Sequence, residues 1–73
     1  MNEESYKDMT PYELLREIRT SKRCIEGAKK ELTAHPLDYW ERILRLEKAE
    51  LATRPHDEIA RAYAKLLRWE LMQ

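Results

Sequence analysis

Apolar residues recur at three- and four-residue steps in three stretches of this chain, and prolines separate the stretches. In the first, Leu14, Ile18, Ser21, Ile25, Ala28 and Leu32 follow a four-three spacing, which sets them along one narrow helical face. The helix has a marked start. Thr10 is placed to cap it, Pro11 occupies the first turn, and Glu13 completes a capping box. Met9 and Leu14 stand where a hydrophobic staple would close that start. Pro36 disfavours helical geometry at His35, so the first helix is predicted over 11–34.

The second stretch predicts a helix over 37–53. Asp38 and Glu41 form a second potential capping box, and Glu41/Arg45 and Glu50/Arg54 lie four apart in the favourable order. Leu37, Trp40, Ile43, Leu44 and Leu51 share a face that Tyr39 and Leu46 widen. Pro55 breaks the pattern, and Asp57 and Glu58 suit the positive end of a third helix over 56–72. Its apolar positions are Ile59, Ala62, Tyr63, Leu66, Leu67, Trp69 and Leu71. The arcs on the second and third helices are wider than one helix-helix contact requires. Short linkers fold neighbouring helices back on each other. The fold expected is all-α, a small antiparallel three-helix bundle. A helical hairpin with one long arm kinked at Pro55 is the competing picture.

Composition agrees with helices. Leu, Ala, Glu, Lys and Arg dominate, and there is a single Gly among 73 residues to build hairpin turns. The length allows one domain, read as a flexible acidic tail at 1–9 and a helical domain at 10–73. Fourteen basic and fourteen acidic side chains cancel, so net charge draws the chain toward neither nucleic acid nor membrane. No apolar run is long enough to span a bilayer. The polar start MNEESYKDMT lacks the character of a leader, and the lone Cys24 suits a reducing interior, so a cytoplasmic location is expected.

Candidate chemistry is sparse. His35, His56 and Cys24 have no metal-ligand spacing, no glycine-rich phosphate loop exists, and no nucleophile stands with a base. No enzyme, cofactor or metal is therefore expected. Two features stand out. Tyr12, Arg16, Arg19, Arg23, Gly27 and Lys30 fall within about a quarter of the first helix's circumference, opposite the apolar seam. They read as a solvated face, with an anion-binding stripe as the alternative, in which Gly27 admits a backbone or ligand. Glu47 falls inside the second helix's apolar stripe. It is expected to pair with Lys22 or Lys29, or to set register at an interface. Glu70, near the chain end, is expected to reach water.

The function expected is that of a small non-enzymatic regulatory or adaptor protein binding another protein and self-associating as a homo-oligomer. Bacterial and phage-encoded inhibitors provide the association for that reading. Tyr39, Trp40, Ile43, Leu46, Glu47, Tyr63 and Trp69 are the candidate interface. The alternative is a module binding nucleic acid or a nucleotide-like anion through Tyr12, Arg16, Arg19, Arg23 and Lys30, a surface that a second basic stripe on the third helix, Arg61, Lys65 and Arg68, would extend.

Overall fold

The computed structural model describes residues 6–72. They form three α-helices: α1 Pro11–Lys29, α2 Leu37–Leu51 and α3 His56–Leu71. None of these helices is long and apolar enough to cross a membrane. The Cα trace measures 36 × 31 × 15 Å. A helix with its side chains is about 10–12 Å across, so the thin dimension holds a single layer. α1 packs against both other helices, while α2 and α3 barely touch each other. The bundle is thus open, and only α1 has two helical neighbours. The break at Pro55 is real: α3 returns to α1 instead of prolonging α2.

The two sides of α1 do different work. Leu14, Ile18 and Ser21 are buried, and Ser21 meets Glu47 of α2. Half a turn away by the 3.6-residue period, Tyr12 and Arg19 meet Lys65 and Glu70 of α3. α1 and α2 run antiparallel. Trp40, near the start of α2, reaches Thr33 just past the end of α1, and Arg54, just past α2, reaches back to Tyr6 and Lys7.

The start of α1 is the predicted one. The Thr10 hydroxyl accepts from the Glu13 amide at 3.2 Å, and the Thr10 amide donates to the Glu13 carboxylate at 3.0 Å. These contacts hold the Glu13 carboxyl below its ordinary value. The second capping box does not form: α2 begins at Leu37 behind Pro36, with no side-chain cap, and Asp38 lies inside the first turn.

The end of α1 differs from the expectation. The helix stops at Lys29, not near Ala34. Glu31 takes a left-handed conformation, φ 60°, and its amide donates to the Ala28 carbonyl at 3.0 Å. The Leu32 amide donates to the Gly27 carbonyl at 2.8 Å. This pair of bonds is a Schellman stop, which satisfies the last carbonyls before Pro36 is reached. Leu32, expected on the seam, is left 77% exposed. Gly27 admits the Thr33 side chain: a Cβ there would lie 3.1 Å from the Thr33 methyl.

The segment before α1 also differs. Residues 1–5 of the expected tail lie outside the described residues, but Tyr6 is only 3% exposed. Arg54 donates to the carbonyls of Tyr6 and Lys7, both at 3.1 Å, and sits 3.6 Å from the Glu50 carboxylate. The acidic sequence around Tyr6 conceals one aromatic anchor with a cation waiting for its backbone.

Two outcomes follow from this architecture. Glu31→Gly relieves left-handed strain at the α1 stop and should stabilise the chain by ~0.5–1 kcal/mol in urea unfolding. Unchanged or lower stability would contradict the strain assignment. Arg54→Ala removes two charged hydrogen bonds and should cost about 1.5–3 kcal/mol. Hydrogen exchange should show faster amides at residues 6–9 before any change in α1.

Candidate functional site

The core is polar at one point. Glu47 is 1% exposed, and Leu14 is the other fully buried large side chain. The Ser21 hydroxyl donates to Glu47 Oε1 at 2.5 Å. No cation answers this carboxylate among the described residues. Lys22 is exposed, and Lys29 instead pairs with Glu26 at 3.4 Å. The expected ion pair is absent because Ser21, not a lysine, occupies the α1 position facing α2. Burial raises the Glu47 carboxyl above its ordinary value of 4.5; the Ser21 hydroxyl works against the rise, and Glu17 adds to it. Burial, followed by the fields of Glu47, Glu17 and Tyr39, raises the Tyr6 phenol as well. Glu47 is therefore a core residue rather than part of an exposed interface.

The remaining candidate interface residues divide between places. Tyr39 stacks on His35, ring centroids 4.1 Å apart, and Trp40 meets both rings edge-on. The Trp40 indole donates to the Thr33 hydroxyl at 3.3 Å, which ties α2 to the end of α1. Ile43 is half-buried on α2, and Leu46 lines a small groove with Tyr6 and Lys7. Tyr63 and Trp69 belong to α3 and are partly exposed, each lining a groove with residues of α1.

The basic stripe is not a bare solvated back. α3 packs along it. The Arg16 guanidinium lies 5.8 Å from the Tyr12 ring centre and 5.3 Å from the Trp69 ring, and the Lys65 ammonium lies 4.6 Å from the Tyr12 ring. Arg19 forms an ion pair with Glu70, so Glu70 turns to α1 rather than out to water. Arg23 shares a groove with Lys22, Leu15 and Tyr63. Lys30 stands at the far end of α1, at its C-cap. The structure thus gathers Tyr12, Arg16 and Arg19 on the α1–α3 seam, leaves Arg23 beside it and separates Lys30. The basic positions Arg61, Lys65 and Arg68 of α3 do adjoin the α1 stripe: with Tyr12, Ala64, Trp69 and Met72 they line a groove of about 610 Å³, and Ala64 and Met72 are the members that the spacing of charges does not mark. No group of three or more His, Cys, Asp or Glu among the described residues is arranged to hold a metal ion.

The Glu47 site has a pH signature. The folded chain holds this proton more tightly than the unfolded chain, so stability is greatest below about pH 4.5 and declines as pH rises through the folded value. Glu47→Gln should match the parent in acid and exceed it at neutral pH in urea unfolding. A stability difference that does not vary with pH would refute the buried-carboxylate account. Ser21→Ala should cost about 1–3 kcal/mol, by leaving the buried carboxylate without its donor.

Compared with models of protein families, with curated proteins and with solved structures, the chain finds no match in any of the three.

Proposed function

We propose that this chain is a small non-enzymatic regulatory or adaptor protein that works by binding protein chains, its own copies included, through the outer side of α3. One observation carries the reading. Seven large apolar side chains stand out into solvent among the described residues, and Tyr63, Leu67, Trp69, Leu71 and Met72 of these belong to α3 and its cap. Tyr63 is 53% exposed and Leu71 is 86% exposed. Tyr63, Leu67 and Leu71 recur every fourth residue, so they form one continuous stripe. A clustered apolar stripe is costly to leave in water and marks a contact surface where scattered residues do not. It arises because α3 has one helical neighbour where a closed bundle supplies two.

Self-association has a direct measurement. Light scattering on a sizing column should give a molar mass above the 8.8 kDa of one chain, increasing with protein concentration. Leu67→Glu with Leu71→Glu, at exposed positions, should return the mass to one chain while leaving the helical circular dichroism intact. A parent protein that stays at one-chain mass across the concentration range would remove self-association and leave the stripe to a different protein.

A further inference from the structure

The groove between α1 and α3 specifies the chemistry of a partner. We infer that it receives an amphipathic helix of another protein, apolar along the inserted side and rich in Asp and Glu along its flanks. This rests on the reading of the chain as a protein-binding module, but it uses different residues from the Tyr63, Leu67 and Leu71 stripe.

Part of the groove's lining is apolar and aromatic: Tyr12, Ala64, Trp69 and the 87% exposed Met72. Its rim is cationic: Arg61, Lys65 and Arg68 line it, and Arg16 lies over Trp69. Asp57 holds Arg61 at 3.0 Å. Arg16, Lys65 and Arg68 have no carboxylate at ion-pair distance among the described residues, whereas neighbouring Arg19 already has Glu70. The surplus around this groove is positive although the whole chain is neutral. An anionic partner meets that surplus, and its apolar side chains displace water from the exposed Trp69 and Met72. Tyr, Trp, Met and Arg are the residue types enriched where protein interfaces concentrate their energy.

The shape selects a helix. From Arg61 to Met72 the groove follows α3 for about 16 Å at 1.5 Å per residue, roughly three helical turns. No strand among the described residues offers an edge to an extended peptide. Two helices side by side, with nothing laid over their seam, present the groove that a third helix fills.

The same geometry weighs against nucleic acid. Single strands bind such surfaces by stacking bases on free aromatic faces. The Tyr12 ring already has Lys65 and Arg16 against it, and Arg16 also lies over Trp69. These cations are held in place by the rings, set to face carboxylates at the rim. A second copy of this chain is a poor occupant, because the outer side of α2 mixes Glu41 with Arg45 and Lys48.

The test is a selection from a displayed library of random peptides of about 16 residues, four to five helical turns, against the whole chain. The expected result is enrichment of peptides with apolar residues at i, i+3 or i+4 and an excess of Asp and Glu. Their affinity should fall as salt rises. It should weaken about tenfold or more against Arg61→Glu with Arg68→Glu, the response of reversed rim charges. Arg61→Gln with Arg68→Gln serves as the milder control for fold and should weaken the same peptides less. Enrichment of neutral or basic peptides, no enrichment, or binding indifferent to both double variants would overturn the inference. So would a dT oligonucleotide of about 20 nucleotides that displaces the selected peptides. None of these outcomes bears on the molar mass of the Leu67 and Leu71 variants, so the partner inference and the protein-binding reading fail separately.

Discussion

A helix that packs against two others is the one on which the rest of a small fold depends, and α1 is such a helix. Ser21 on its buried seam meets Glu47 of α2, Ile18 shares a groove with Tyr63 and Leu66 of α3, and Tyr12, Arg16 and Arg19 meet Lys65, Trp69 and Glu70 of α3. The two contacts differ in chemistry. Toward α2 the seam is buried, with a single polar pair, Ser21 to Glu47. Toward α3 the buried Ala62 and Leu66 are bordered by long cationic stems, aromatic rings and one ion pair. Arg and Lys can cover apolar surface with their methylene stems while the charged head stays wet. That property lets one face serve as packing and remain basic at its margin.

Much of this arrangement was written in the chain. The prolines at 36 and 55 separate the helices, and the Thr10–Glu13 capping box fixes where α1 begins. Glu47 stood out as a carboxylate on an apolar stripe, and it is buried. Its partner could not be read, because a lysine on the same helix as Ser21 was equally near in sequence. Which side chain of α1 points at α2 depends on packing between helices, not on spacing within one.

The features that escaped share one cause: each lacks its usual sign. Left-handed helix stops are marked by glycine, and here Glu31 occupies that conformation without it. Tyr6 sits in a polar, acidic segment, where one buried ring leaves no periodicity. The basic stripe resembled a solvated face because a sequence gives each helix an inside and an outside. It does not show that the middle helix of a layer has two insides. Glu70, an acid on the apolar side of α3, was the available hint that a cation waited across the seam, and Arg19 is that cation.

The thinness of the molecule has a consequence for how it comes apart. α1 packs more extensively against α2 than against α3, and the Tyr6 segment is pinned by Arg54 just past α2. α3 leans chiefly on α1, through a smaller contact in which Ala62 and Leu66 are buried. Cooperative units with few buried contacts open at lower free energy than the whole. The lowest excursion of this chain is therefore the release of α3 from an α1–α2 hairpin that stays folded. A ligand that bridges α1 and α3 binds only the docked form, so its binding energy adds to the docking of the helix. Occupancy is then reported by slower amide exchange along α3, while the hairpin amides register little change.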